Sequence, residues 1–249
     1  MSERQEKNFL VLIKVLLFVT AFYVAFLIAH RDDESDVTSY DVDSKVLPVV
    51  VIDAGHGGID PGKVGINGAL EKDINLQIAD KLKMFLEAND IKVVMTREDD
   101  EGLYDPDVSN KKVQDMKNRV ALIEDCNPQV VVSIHQNSYP EEYVCGAQVF
   151  YYDGSDAGQE LAEKIQRQLV EDLNPENKRQ IKANDSYYLL KKTSKPIVIV
   201  ECGFLSNAKE AEQLTVPLYQ EKVAWAIHLG VLQYINEKEQ DENKVSNDN

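Results

Sequence analysis

Val49–Asp73, VVVIDAGHGGIDPGKVGINGALEKD, decides how the rest of the chain reads. It opens on an unbroken apolar run, Val49-Val50-Val51-Ile52, the signature of a strand buried on both faces. Asp53 ends the run, and a loop with glycine at 55, 57, 58, 62, 65 and 68 follows. Glycine accepts positive φ and has no side chain, so such a loop can bring backbone close to a ligand. His56 stands at the start of the loop and Glu71 at its end, where a helix begins. An imidazole and a carboxylate flanking a glycine-rich loop after a buried strand suit two ligands of a metal site. The remaining chain is then expected to supply a third ligand and a general base.

Working outward, Lys72–Ala88 carries Ile74, Ile78, Leu82, Phe85 and Leu86 at helical spacing. Lys92–Met95 reads as a second strand, and Arg97–Asn110 as a charged loop. Val113–Cys126 reads as a helix with Val113, Met116, Val120 and Ile123 inward, closed by Asn127-Pro128. Val130–Ile134 is a third buried strand with His135 directly after it. Ala147–Tyr152 is a strand, and Gln159–Leu173 a helix with Leu161, Ile165 and Leu169 inward. Ile197–Val200 is a strand that runs into Glu201, and Val216–Asn236 is a closing helix or helix pair. This alternation predicts an α/β fold, a largely parallel sheet flanked by helices on both faces. His56, His135 and Glu201 each come at or just after a strand end. In an open α/β sheet those ends gather on one edge, where ligands bind.

The chain has four histidines. His30 borders an apolar segment and His228 lies in the helical VAWAIHLGVL, so both read as structural. His56 and His135, with Glu71 as the anionic donor, leave one position open for water, as in hydrolytic zinc sites. The same donors also suit non-haem iron. Zinc would bring its water's pKa near neutrality. A carboxylate that is not a ligand must then take the water's proton, and Glu201 is at the right edge to do so.

The formal net charge is −16. Residues 31–45 hold six acids against two bases and residues 237–249 five against two, so most of the remaining deficit lies in the core. Such acidity argues against nucleic acid as a partner. Cys126, Cys145 and Cys202 are odd in number and contain no CxxC, so they read as small buried hydrophobes. Phe9–Ala29 is apolar apart from Lys14 and Thr20 and is long enough to span a bilayer. Arg4, Lys7 and Lys14 lie at its N-terminal end and Asp32, Asp33, Glu34 and Asp36 beyond the other. The positive-inside rule then puts the bulk of the chain outside the cytoplasm. The expected organisation is an N-terminal membrane anchor or uncleaved signal (1–30), an acidic linker (31–45), a catalytic domain (46–236) and a polar tail (237–249).

The motifs IDAGHGGIDPG, ALEKD, VVSIHQNS and VECGFLSN, in this order, resemble the type-3 amidase family of zinc-dependent N-acetylmuramoyl-L-alanine amidases. The resemblance runs from about Leu47 to Ile235. It implies zinc held by His56, Glu71 and His135, with Glu201 catalytic. The implied substrate is the amide between the lactyl group of muramic acid and L-alanine in peptidoglycan. The chain departs from the family at Ala54, usually Pro, and at Gln136, usually small, which bears on the shape of the substrate groove. The segments DMKNRVALIE, GAQVFYY and YYLLKKTSKPIVIVECGFLSNAKEAEQL are similar to the sporulation-specific branch that strips side peptides from cortex peptidoglycan. That branch implies a downstream muramic acid deacetylase that makes muramic-δ-lactam, and location between the forespore and mother-cell membranes. Ser138–Ala157 leaves little room for the helix that blocks the site in some cell-division members, so a protein activator that stabilises metal binding is one expected control. The rival readings are a vegetative wall-remodelling amidase, an iron oxygenase with the same donors, and a membrane-anchored wall-binding module without catalysis.

Overall fold

The computed structural model describes Thr20 and residues 47–247. Apart from Thr20, the expected anchor and linker lie outside the described residues. Among the described residues no helix is long and apolar enough to cross a membrane.

Six strands form one sheet: β1 (Val49–Ala54), β2 (Lys92–Met95), β3 (Val130–Asn137), β4 (Gln148–Tyr152), β5 (Lys182–Asn184) and β6 (Ile197–Phe204). Their spatial order is β2-β1-β3-β6-β4-β5. Every neighbouring pair is parallel except β4 with β6. The exception follows from the connections. No helix lies between β3 and β4, whereas a parallel neighbour needs a long crossover.

The helices are α1 (Glu71–Glu87), α2 (Lys111–Cys126), α3 (Asp156–Leu173), α4 (Tyr188–Lys192), α5 (Ala208–Leu214) and α6 (Pro217–Asn247). The apolar runs of the central strands hide a period of two that serves both faces. Val50, Ile52, Val130, Val132, Val198 and Val200 pack with Ile78 and Leu82 of α1, Ile165 of α3 and Ile227 of α6. Val51, Val131, Ile197 and Ile199 pack on the other face with Ile123 of α2 and Leu189 and Leu190 of α4. Helices thus cover both faces, as the alternation predicts.

Two expectations need correction. The inward face of α2 is the expected stripe only in part: Ile123 is buried and Met116 and Val120 pack against the core, but Val113 is exposed and two charged residues, Asp115 and Arg119, are buried beside them. The cause is a buried carboxylate on β1, described below. The closing helix also runs past Asn236 into the polar tail. There Lys164 Nζ of α3 reaches Glu237 at 2.5 Å, and Lys238 reaches Glu160 at 2.6 Å, so charge extends a helix whose apolar face has ended.

Candidate metal centre

The C-terminal ends of β1, β3 and β6 meet at one edge, and His135 stands in register with Glu201. His56 follows β1 by two residues in the left-handed region, with φ at 64°. A side chain held there is strained, so surrounding structure must fix it. Arg119 donates to the His56 carbonyl at 2.6 Å and to the Ala54 carbonyl at 2.9 Å. Arg97 donates to the Ala54 carbonyl at 2.9 Å and to the Gly55 carbonyl at 3.2 Å, and Asn75 adds a third donor to this backbone at 3.0 Å. Gly55 is required by contact rather than by turn geometry: a Cβ there would lie 2.3 Å from the His135 ring. Gly62 is required on both grounds, with φ at 68° and a virtual Cβ 2.5 Å from Glu71 Oε2.

Asp53 explains the charged face of α2. It is buried, accepts from Arg119 at 2.7 Å, from Thr96 Oγ1 at 2.9 Å and from Ser133 Oγ at 2.5 Å. Burial alone would raise its carboxyl, but the charges of Arg119 and His135 and the Ser133 hydroxyl hold it at about 2. Arg119 also pairs with Asp115 at 2.7 Å. One buried ion pair thereby ties α2 to β1 and to the carbonyl of His56.

His56, Glu71 and His135 offer donor atoms that all lie within 4.8 Å of one another. Glu71 Oε1 is 3.2 Å from His56 Nε2 and 3.0 Å from His135 Nδ1. Its two oxygens also accept from backbone, Oε1 from Gln136 at 3.0 Å and Oε2 from Lys63 at 2.7 Å. Burial opposes its charge, yet its hydrogen bonds to both imidazoles hold it well below the usual carboxylate range. Burial likewise opposes a charged His135, yet Glu71 carries that ring up to about 9. The cluster is built to hold positive charge, and two imidazoles with one carboxylate fit zinc. Asp60 Oδ2 accepts at 3.1 Å from His56 Nδ1 and is itself held by Lys112 at 2.9 Å, an outer carboxylate that orients the ring.

Glu201 faces the same cluster. Burial pushes its carboxyl up to about 7, so it can exchange a proton near neutrality. Its Oε2 is buried without a partner and its Oε1 lies 3.4 Å from the Tyr187 hydroxyl. A cavity of about 110 Å³ borders His56, His135, Lys112 and Tyr187. No helix lies between β3 and β4 to cover the edge.

All four residues singled out in sequence therefore come together. Gln136 does not shape the groove: it is buried on the other side of β3, with Nε2 3.1 Å from Asn75 Oδ1. His228 is buried against Trp225 and Phe85, a structural residue as expected, and His30 lies outside the described residues. Of the cysteines only Cys202 is a buried hydrophobe; Cys126 is half-buried and Cys145 exposed, and all are free. Sequence reasoning missed Arg119, Asp60 and Tyr187. The one signal for Arg119 was an acid, Asp53, closing a strand buried on both sides: it needs a cation within reach.

Comparison with known proteins gives the family. The family model described as N-acetylmuramoyl-L-alanine amidase (Amidase_3) matches residues 50–233. The germination-specific N-acetylmuramoyl-L-alanine amidase of Bacillus subtilis is 38% identical over 193 residues, 76% of this chain and 81% of that protein. The amidase LytC of the same organism is 32% identical over 74% of this chain and 35% of its own length. Among solved structures, the CwlD amidase of Clostridioides difficile in complex with the GerS lipoprotein superposes with a TM-score of 0.74 at 41% identity, covering 76% of this chain and 98% of that one. With a family model spanning nearly the whole sheet and its helices, the chain belongs to the Amidase_3 family and is an N-acetylmuramoyl-L-alanine amidase acting on peptidoglycan.

Proposed function

We propose that this amidase is a zinc enzyme of the spore cortex, with His56, Glu71 and His135 as ligands and Glu201 as general base. The single observation that carries the chemistry is the convergence of three donor groups within 4.8 Å beside a buried, partnerless Glu201 oxygen. Zinc bound there supplies activation of water and polarisation of the lactyl carbonyl. Glu201 takes a proton from the attacking water at Oε2 and returns it to the departing nitrogen of L-alanine. A C–O bond forms, the C–N bond breaks, and the carboxylate ends as it began. Asp60 orients the His56 ring, and Arg119 and Arg97 hold the loop that carries it.

Likeness to the germination-specific amidase of B. subtilis supports the cortex role. The muramic acid residues left with a free lactyl carboxyl would be the substrate of a muramic acid deacetylase. The lipoprotein bound to CwlD in C. difficile supports a protein activator for this chain too. Phe9–Ala29 would anchor the enzyme with its domain outside the cytoplasm. Mass analysis of cortex fragments after incubation with zinc-loaded enzyme tests the reaction, with unsubstituted muramic acid expected and intact stem peptides the contrary result. Fractionation of the full chain against one lacking residues 1–30 tests the anchor: only the full chain should sediment with membranes.

A further inference from the structure

The two oxygens of Glu201 sit in unequal surroundings. Oε1 faces the Tyr187 hydroxyl at 3.4 Å, the long end of hydrogen bonding, while Oε2 is buried with no partner. Buried carboxylate oxygens are ordinarily bonded, so an orphan oxygen beside a reaction centre calls for a reason. Tyr187 is firmly held. Its backbone N–H donates to Asn184 Oδ1 at 2.9 Å, and its ring meets Phe150 edge-on with centroids 5.5 Å apart. It stands at the N-cap position of α4, whose Leu189 and Leu190 are buried in the core. The phenol also borders the cavity shared with His56 and His135. Burial and the Glu201 charge raise its pKa well above the ordinary phenol value, so it remains a donor.

We propose that Tyr187 is the positioning residue of Glu201: its hydroxyl occupies Oε1 and fixes the rotation of the carboxylate, leaving Oε2 alone to exchange the proton. This rests on the reading of Glu201 as base. Bonds of this kind are often long in an unliganded site and tighten when substrate is bound. The ring's packing on Phe150 needs no hydroxyl, which separates the two roles of the residue.

The experiment compares full-length wild type, Tyr187→Phe, Glu201→Gln and the double variant on a muramyl peptide, with bound zinc and melting temperature measured in each. Tyr187→Phe should lower kcat about ten-fold, the effect of one lost hydrogen bond to a charged partner, with KM, zinc content and melting temperature unchanged. The double variant should be no slower than Glu201→Gln. Wild-type kcat in Tyr187→Phe overturns the proposal, as does an effect confined to KM. A further ten-fold loss in the double variant also overturns it, because Tyr187 would then act elsewhere than through Glu201. Wild-type activity in Glu201→Gln is the separate result that removes the base assignment itself.

Discussion

His135 and His228 show how little depth alone says about function. His228 is the less exposed to solvent, at 2%, among Trp225, Phe85 and the Asn89 amide, and burial without any charged partner pushes its pKa down. His135 keeps 21% of its side chain exposed and lies among Glu71, Glu201 and Asp53, which raise its pKa against the pull of burial. One ring is kept neutral by apolar surroundings; the other sits where the protein has concentrated negative charge. A candidate metal site is thus distinguished from a core histidine by the sign of the field around it.

The contrast predicts opposite outcomes for the two rings. His135→Ala should lose bound zinc and activity together, since two remaining protein donors hold the ion poorly. Metal analysis and turnover on one preparation check this; full zinc occupancy would exclude His135 as a ligand.

A smaller effect is expected one layer down. Arg119→Met leaves Asp53 buried and unpaired, which costs about 3–5 kcal/mol. The pH dependence follows from the depressed Asp53 value. Its contribution is complete above the ordinary 3.8 and fades as pH falls to about 2. The gap in melting temperature between wild type and variant should therefore narrow across that window. A gap constant with pH would show that the Asp53 charge is not what Arg119 serves.

The least effect belongs to His228. His228→Phe removes an orphan Nδ1 from an aromatic setting, and Asn89 keeps its bond to the Phe85 carbonyl. Stability should change by less than about 1.5 kcal/mol, with zinc content and kcat unchanged. Loss of zinc in this variant would dissolve the distinction between the two histidines.

What could be read from sequence follows the same line. The sheet was legible because VVVI, VVVSI and PIVIV are apolar on both faces, and the site because His56, His135 and Glu201 punctuate those runs. Arg119 was hidden because a helical stripe of Val113, Met116 and Val120 competes with it, and apolar spacing does not reveal that the facing strand carries a buried acid. Tyr187 was hidden because α4 is a single short turn and β5 a three-residue edge strand, both too brief to show a period. The antiparallel β4 was missed because orientation depends on the connection from β3, not on the strand's own residues.

The central claim is that the edge holds two separable functions, three ligands and one base. It is tested most directly by bound zinc and single-turnover cleavage of a muramyl peptide in one preparation of Glu201→Gln. The account predicts zinc near the wild-type level, with cleavage slowed by about 10²–10⁴. Cleavage at the wild-type rate, or loss of zinc along with activity, would contradict it.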